Sequence, residues 1–274
     1  MNLIRILRSV SLALCLLAMV PGSTALAQRA QEYTPEVGQE GKDVVWVPTP
    51  QALVDKMLDM AKVTSKDYLI DLGSGDGRTV ITAAKRGVRA LGIEYNPDMV
   101  ELSRRNAANA GVSDKATFMK ADLFESDLSK ATVITMFLLP EINLKLRPRI
   151  LDLKPGTRIV SNSFDMGEWA ADETATVDEG CSSWCEALLW IVPAKVAGTW
   201  KTPKGELTLT QTFQLVTGTL KSGNVIAPIR VGRVRGDHIE FTAGESQYSG
   251  RVKGNVMEGT MKSGERWSAT RTGK

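Results

Sequence analysis

The chain has 274 residues and a formal net charge of +3 at neutral pH, with 34 basic residues against 31 acidic ones. A chain so close to neutral lacks the broad basic face that nucleic-acid binding requires, so we expect no nucleic-acid partner. After residue 27 no run is long and apolar enough for a transmembrane helix, so the sequence predicts no stable membrane span. The length suits one catalytic domain and one small module.

Residues 1–27 have the three parts of a secretory signal peptide. Arg5 and Arg8 precede an uncharged run over 9–20, and Ala25-Leu26-Ala27 supplies the small residues of a cleavage site. A run of about a dozen apolar residues is too short to anchor the chain across a bilayer. We therefore expect cleavage after Ala27 and a periplasmic or secreted protein.

The chain then passes from a polar arm to an alternating pattern. Residues 28–43 are rich in polar residues and glycine, which is typical of a flexible or loosely docked arm. From 44 to 193, stretches with helical spacing alternate with apolar runs of strand length. This alternation predicts an α/β domain over 44–193, built on a doubly wound, seven-stranded, mostly parallel sheet.

The most informative stretch follows the first predicted strand, at Asp71-Leu72-Gly73-Ser74-Gly75-Asp76-Gly77-Arg78. An apolar run ends in Asp71, three glycines alternate with polar residues, and a helical pattern begins at Arg78. Glycines in such a turn let the backbone approach a ligand, and the first N–H groups of the helix are free to bind it. The stretch predicts a nucleotide-binding loop.

Two further acidic residues end the next two predicted strands. Glu94 precedes Tyr95 and Asn96, and Asp122 precedes Leu123. In an open α/β sheet such acids lie beside the same crevice, where Glu94 can accept hydrogen bonds from ribose hydroxyls. The candidate cofactor-binding residues are therefore Asp71, Gly73, Ser74, Gly75, Gly77, Arg78, Glu94, Tyr95, Asn96, Asp122 and Leu123.

The acid before the glycine loop bears on which nucleotide binds. The dinucleotide fingerprint is G-x-G-x-x-G with a pyrophosphate over the helix start, whereas the glycines here are Gly73, Gly75 and Gly77. A carboxylate at Asp71 is poorly placed for a pyrophosphate and well placed for the ammonium and sulfonium charges of S-adenosylmethionine. We expect S-adenosylmethionine as the cofactor. The alternative is a glycine turn accompanied by unrelated surface acids.

A catalytic candidate follows the fourth predicted strand, where Pro140 and Glu141 begin a helix. If the methyl group of S-adenosylmethionine passes to a lysine amine, that amine must first lose its proton, because the cationic form has no lone pair. Glu141 is the candidate for orienting or deprotonating the acceptor, with Pro140 beside it. The alternative interpretation is that Glu141 only pairs with the positive end of the helix dipole.

Cys181 and Cys185 are the cysteines that remain after the predicted cleavage. In an oxidising compartment two cysteines this close can form a disulfide, which we predict here, with free thiols as the alternative. Together with His238, the single histidine of the chain, they are too few for an ordinary zinc site, so we expect no metal.

The pattern changes after Pro193. From 194 to 274, short alternating runs are separated by turn pairs such as Lys204-Gly205 and Gly236-Asp237. These features predict an antiparallel β meander of about seven or eight strands, which forms a small barrel or an open curled sheet.

Several segments together resemble one branch of the class I methyltransferases. Residues 71–78 resemble motif I of that superfamily, and the remaining segments resemble bacterial relatives of the mitochondrial ATP synthase c-subunit lysine methyltransferase. These segments are Pro48-Thr49-Pro50, Gly92-Ile93-Glu94-Tyr95-Asn96-Pro97, Ala121-Asp122-Leu123-Phe124, Leu138-Leu139-Pro140-Glu141 and Phe164-Asp165-Met166-Gly167-Glu168-Trp169. The resemblance covers 45–192 and implies methyl transfer to a protein lysine or a small molecule, with the third acid beside the adenine. The signal peptide and the C-terminal module depart from the mitochondrial members.

The sequence leaves three functions open. The first is an active methyltransferase that modifies an envelope protein or a small molecule. The second is an exported module that binds or senses S-adenosylmethionine without turnover, and the third is an envelope interaction protein that acts through its β module. The acids at 71, 94 and 122 favour the first two over the third.

Overall fold

A computed structural model describes residues 33–273 of the chain. The predicted signal peptide and the first residues of the predicted arm, 28–32, lie outside the described residues. Within the described range, no helix combines the length and the apolar character that a membrane crossing demands.

The first part of the described chain forms a single sheet. Its strands are β1 (Tyr68–Leu72), β2 (Arg89–Glu94), β3 (Ala116–Lys120), β4 (Val133–Met136), β5 (Arg158–Asn162), β6 (Glu173–Thr176) and β7 (Glu186–Ile191). The seven strands have the order β3-β2-β1-β4-β5-β7-β6. Strands β1 to β5 run parallel, and β7 pairs antiparallel with both β5 and β6. The mostly parallel, seven-stranded sheet that the sequence predicts is confirmed.

Helices cover both faces of this sheet. They are α1 (Gln51–Met60), α2 (Arg78–Lys85), α3 (Pro97–Asn109) and α4 (Pro140–Leu151). Successive residues of a strand point to opposite faces, so Leu69 packs in the cluster with α1, α2 and α3, whereas Ile70 packs in the cluster with α4. All four residues of β4 are buried, as expected for a central strand covered on both faces.

Local chemistry fixes where the helices beside the predicted site begin. The Asn96 side chain accepts a hydrogen bond of 2.9 Å from the Asp98 N–H, and Pro97 occupies the first helical position of α3. Both features match the start signal in the sequence, because an asparagine cap satisfies a free N–H and proline presets the helical backbone. Helix α4 likewise begins at Pro140 and continues through Pro148.

The strand order reverses beside β1, which has β2 on one side and β4 on the other. At such a reversal the connections that follow two neighbouring strands leave towards opposite faces of the sheet. A crevice therefore opens beyond the carboxyl ends of β1 and β4, which is where open α/β sheets bind their ligands.

The second part of the chain is an eight-stranded antiparallel barrel, which is closed. Its interior is filled by apolar side chains, among them the fully buried Trp200. The barrel form of the predicted meander is thereby confirmed. Its strands are β8 (Gly198–Thr202), β9 (Gly205–Thr212), β10 (Leu215–Ser222), β11 (Val225–Arg235), β12 (His238–Ala243), β13 (Ser246–Lys253), β14 (Val256–Met261) and β15 (Arg266–Gly273).

The barrel packs against the segment that leads into β6. Arg233 donates a hydrogen bond of 2.6 Å to the Asp172 carboxylate, whose side chain is 1% exposed. The ring of Phe213 stacks on Trp169 with 6.0 Å between the ring centroids. The last strand of the sheet, β7, ends at Ile191, and the first strand of the barrel, β8, begins at Gly198. The boundary was predicted near 194. That the two parts fold independently stays a prediction.

Candidate active site

A cleft lies beyond the carboxyl ends of β1 and β4. Its walls come from the glycine loop after β1, from the ends of β2 and β3, and from the extended segment 39–49. Every predicted cofactor-binding residue except Gly77 lines this cleft. The lining therefore includes Asp71, Gly73, Ser74, Gly75, Arg78, Glu94, Tyr95, Asn96, Asp122 and Leu123.

The three loop glycines have a conformational and a steric reason to be glycine. Their φ angles are 72° at Gly73, 53° at Gly75 and 83° at Gly77, all in the left-handed region that other residues rarely adopt. A Cβ at Gly75 would lie 2.5 Å from Nε1 of Trp46, and one at Gly77 would lie 2.8 Å from the Phe118 ring. Gly77 therefore lies outside the cleft lining and lets the loop pack against Phe118.

Glu94 ties the glycine loop to the start of α3. One of its carboxylate oxygens accepts a hydrogen bond of 2.9 Å from the Gly75 N–H, and the other accepts one of 2.9 Å from the Asn96 N–H. Each carboxylate oxygen has capacity for a further hydrogen bond, so Glu94 can hold the loop and still accept bonds from a ligand hydroxyl.

Asp71 is a buried carboxyl group, 6% exposed, at the bottom of the cleft wall. Burial raises its pKa from 3.8 to about 7, and the negative charges of Asp76 and Glu94 act in the same direction. A hydrogen bond of 2.6 Å from the Thr135 hydroxyl offsets part of this rise in the pKa. A ligand that brings positive charge next to Asp71 would stabilise its ionised form.

The unsatisfied polar atoms of the cleft match S-adenosylmethionine. Oγ of Ser74 is buried and forms no hydrogen bond within residues 33–273, although buried hydroxyls are almost always paired. Asp71 forms no ion pair with a described cation, so its charge is uncompensated. An ammonium or sulfonium group would satisfy Asp71 and ribose hydroxyls would satisfy Glu94, which makes the residues present a fit for this cofactor.

The described part of the predicted arm, 33–43, contacts the cleft. Lys42 forms an ion pair of 2.5 Å with the Asp122 carboxylate and lies 5.0 Å from the centroid of the Tyr95 ring. The Asp122 carboxylate also accepts a hydrogen bond of 2.8 Å from the Phe124 N–H. The Lys42 contact, followed by this N–H bond, lowers the pKa of Asp122. Asp122 is therefore held in position by Lys42 of the arm.

Arg78 acts as a brace between the glycine loop and the segment before α1. Its guanidinium donates two hydrogen bonds to the Asp76 carboxylate, of 3.0 and 2.7 Å. It donates a third, of 2.9 Å, to the Thr49 carbonyl. The donors of Arg78 are thus largely used within the protein, which favours a supporting role. Segment 39–49 also lines the cleft and was not predicted as part of the site, although Pro48-Thr49-Pro50 is one of the segments that resemble the methyltransferase branch.

The structure places the catalytic candidates Glu141 and Pro140 at the first turn of α4, outside the cleft lining. Glu141 is exposed, and neighbouring Ile142 lines the cleft in its place. Glu141 and Pro140 therefore lie next to the cleft lining, and a catalytic role for them stays a prediction. Phe137 and Leu138, which follow β4, also line the cleft and were not identified from the sequence.

Comparisons with known proteins agree with this geometry. The family model of the ANTKMT methyltransferase domain matches residues 71–173. A protein-lysine N-methyltransferase of Saccharolobus islandicus is 44% identical over 140 residues, which cover 50% of this chain and 87% of that protein. The chain belongs to this methyltransferase family.

Two other relatives extend the comparison. The mouse lysine N-methyltransferase of the ATP synthase c-subunit is 35% identical over 130 residues, which cover 47% of this chain and 52% of the mouse protein. The crystal structure of an RNA methyltransferase from Salinibacter ruber, in complex with S-adenosyl-L-homocysteine, is 48% identical with a TM-score of 0.52. The match covers 55% of this chain and 96% of that chain.

The family membership settles the class of enzyme and the cofactor. The chain is a class I S-adenosylmethionine-dependent methyltransferase, and the resemblance noted in the sequence is confirmed. When bound, S-adenosylmethionine supplies an electrophilic methyl group, and the electron pair of the broken C–S bond stays on sulfur. The protein contributes a preshaped cleft that aligns this group with an acceptor and keeps water away.

Proposed function

We propose that the chain is a protein-lysine N-methyltransferase that acts outside the cytoplasm. The observation that carries this proposal is the 44% identity to a protein named protein-lysine N-methyltransferase, 87% of which is covered. The similarity to the mouse lysine methyltransferase supports the same acceptor chemistry. The alternatives of a binding module without turnover and of a purely structural protein lack comparable support.

We assign the cofactor contacts to the residues that line the cleft. Asp71 would face the positive charge of the methionine part, and Glu94 would accept bonds from the ribose while it keeps its bonds to Gly75 and Asn96. Asp122, held by Lys42, would border the adenine. The support for these assignments is the burial of Asp71 and the free hydrogen-bonding capacity of Glu94.

The acceptor lysine must release its proton to water before its lone pair can attack. Glu141 lies outside the cleft lining, and the lining carboxylates Asp71, Glu94 and Asp122 are assigned to the cofactor, so we assign no residue as the base. Desolvation of the amine in an apolar part of the cleft would favour the neutral form. In this proposal the protein promotes the reaction by alignment and desolvation, and Glu141 serves as a charged group at the α4 start.

The proposed location rests on two features. Residues 1–27 have the pattern of a cleavable signal peptide. Cys181 and Cys185 are joined by a disulfide, a bond that persists in oxidising compartments. We therefore propose an acceptor protein in the periplasm or beyond. A small-molecule acceptor remains the alternative target class.

The experiment compares acceptor classes directly. The purified protein is incubated with methyl-labelled S-adenosylmethionine and with separate pools of envelope protein, small metabolites and RNA from the source cells. We expect label in protein, at lysines identified by mass spectrometry. A matched pool whose lysine amines have been fully acetylated beforehand should take up almost none.

RNA is included because the Salinibacter ruber relative is described as an RNA methyltransferase. Label in RNA, or undiminished label in the lysine-blocked protein, would contradict the lysine proposal. The Asp71→Asn variant serves as the inactive control, since it removes the carboxylate assigned to the cofactor.

A further inference from the structure

Three aromatic side chains gather beyond the same edge of the sheet as the cofactor cleft. Phe137 follows β4 and lines the cleft, Phe164 follows β5, and Trp184 precedes β7. The sheet register explains the meeting, because Met136 pairs with Ser161 in β5, and Asn162 pairs with Ala187 in β7. The carboxyl ends of β4 and β5 and the beginning of β7 therefore lie side by side.

The three rings form one continuous cluster. Ring centroids are 5.9 Å apart for Phe137 and Phe164, 5.2 Å for Phe164 and Trp184, and 6.0 Å for Phe137 and Trp184. These distances are typical of contacting aromatic pairs. Trp184 is 46% exposed, whereas Trp169, Trp190 and Trp200 are fully buried. The cluster thus runs from the cleft to the surface, and its outer member is not a core residue.

The two outer rings are held by constrained backbone. Trp184 has a φ of 57°, and Ser163, directly before Phe164, has a φ of 56°. Four non-glycine residues of the described chain have a positive φ, and two of them position this cluster. Such conformations are strained for residues with a side chain and persist where the surroundings enforce them. Around Trp184 the constraint is the Cys181–Cys185 disulfide, which closes the loop on both sides of it.

The charges of the surrounding loop suit a cationic ligand. Residues 177–186 contain Asp178, Glu179 and Glu186 and no lysine or arginine. In the described chain, protein cations lie over the rings of Tyr95, Phe124, Phe213 and Trp200 and over none of these three. The faces of the cluster are therefore not occupied by a cation of the protein itself.

We propose that Phe137, Phe164 and Trp184 form the recess that receives the alkylammonium group of the methyl acceptor, with the Cys181–Cys185 disulfide holding Trp184 in place. This inference rests on the proposed lysine specificity and adds to it the residues that recognise the acceptor. The aromatic faces attract the ammonium and its methylated product. The apolar walls pack on the lysine stem and leave the amine poorly solvated next to the cleft.

Binding to the recess is measured without turnover, on the whole protein saturated with S-adenosyl-L-homocysteine and carrying 15N-labelled tryptophan. The Trp184 indole signal is the one missing from Trp184→Phe. Titration with Nα-acetyl-L-lysine amide should shift this signal saturably, and the Trp267 signal in the barrel serves as the internal control. Nα-acetyl-L-norleucine amide, which keeps the stem and lacks the charge, should bind far more weakly. The Phe164→Leu variant should lose about three- to tenfold in lysine-amide affinity.

The kinetic arm uses the labelled lysine acceptor. Trp184→Leu should raise KM for the acceptor about three- to tenfold, whereas Trp184→Phe should stay close to wild type. The double variant Cys181→Ser, Cys185→Ser should behave like Trp184→Leu. Calorimetric affinity for S-adenosyl-L-homocysteine should be unchanged in all three, which separates a recess defect from a folding defect.

The outcomes separate this inference from the proposed function. The assignment of the recess would be overturned by any of three results, even if lysines are methylated. These are a Trp184 signal that does not shift, equal shifts with norleucine amide, and an unchanged KM for the acceptor in Trp184→Leu. A selective Trp184 response in a protein that methylates no lysine would leave the recess standing and overturn the proposed function.

Discussion

Asp71 and Thr135 are register partners in β1 and β4, and the Thr135 hydroxyl donates a hydrogen bond of 2.6 Å to the Asp71 carboxylate. Burial nevertheless raises the pKa of Asp71 to about 7. The group that we assign to a cationic part of the cofactor is therefore protonated in much of the protein at neutral pH. Cofactor and proton compete for the same carboxylate.

We expect cofactor affinity to depend on pH through Asp71. Below about pH 7, binding to the ionised form must release a proton, so affinity for S-adenosylmethionine should rise with pH by up to about tenfold per unit and level off above 7. Calorimetry in two buffers of different ionisation enthalpy reports the released proton. Asp71→Asn should abolish this dependence, and Thr135→Val, which removes a bond that lowers the pKa, should move the plateau to higher pH.

The same group makes stability depend on pH in the opposite sense. Between about pH 4 and 7 the unfolded chain has lost the Asp71 proton while the folded protein keeps it, so unfolding releases a proton and stability falls as pH rises. Relative to Asp71→Asn, the wild type should lose on the order of 4 kcal/mol of unfolding free energy across this range. Urea unfolding at pH 4.5 and 7.5 checks it. A difference that grows with pH would contradict the assignment.

Replacing Glu94 by glutamine should weaken cofactor binding by about 1–3 kcal/mol, because it removes a charged acceptor shared by the Gly75 N–H and the assigned ribose contact. Calorimetry with S-adenosyl-L-homocysteine measures the loss. Circular dichroism confirms that the sheet is intact. The exposed Asp114 carboxylate, which pairs with Lys115, gives the matched control in Asp114→Asn. If Glu94→Gln and Asp114→Asn bind S-adenosyl-L-homocysteine equally well, Glu94 does not contact the cofactor.

The Lys42 contact should act on cofactor exchange more than on stability. Lys42→Met removes a partly exposed ion pair to Asp122, and exposed pairs contribute little to folding. It also frees the arm beside the cleft, so S-adenosyl-L-homocysteine should dissociate several-fold faster in stopped-flow measurements. An unchanged dissociation rate together with lowered stability would show that the arm is a structural element only.

Removing the barrel by ending the chain between 193 and 198 should leave a folded sheet domain that binds the cofactor. The cut exposes the face of Trp169 that Phe213 covers and leaves the buried Asp172 without Arg233, so thermal stability should fall. Phe213→Ala in the full chain isolates the first of these losses. A soluble truncation that is folded and binds no S-adenosyl-L-homocysteine would show that the barrel completes the site.

The sequence was sufficient for the features that leave a local trace. The glycine loop, the acids that end β1 and β2, and the Asn96–Pro97 helix start all follow from spacing and residue type within a few positions. The same holds for the disulfide, since Cys181 and Cys185 are four residues apart. Such local patterns were sufficient to predict the sheet, the cofactor and the part of the cleft lining that follows β1, β2 and β3.

Contacts between distant segments left no such trace. Lys42 and Asp122 are 80 residues apart, and no spacing rule connects them. Phe137, Phe164 and Trp184 meet only because of the strand order, which brings β4, β5 and β7 side by side. The prediction placed Glu141 correctly at a helix start, whereas Ile142, one position later, is the residue that lines the cleft; the catalytic role of Glu141 stays a prediction. Which neighbour faces a site depends on the exact start of a helix, and sequence patterns define that start loosely.

Glu94 accepts hydrogen bonds from the Gly75 and Asn96 N–H groups, and these two bonds join the glycine loop to the start of α3. These bonds hold the glycine loop at a fixed distance from the start of α3 before any ligand binds. A ligand therefore meets a glycine loop whose backbone is already held in place. Binding does not have to order this loop, so the affinity is not reduced by the entropic cost of ordering it.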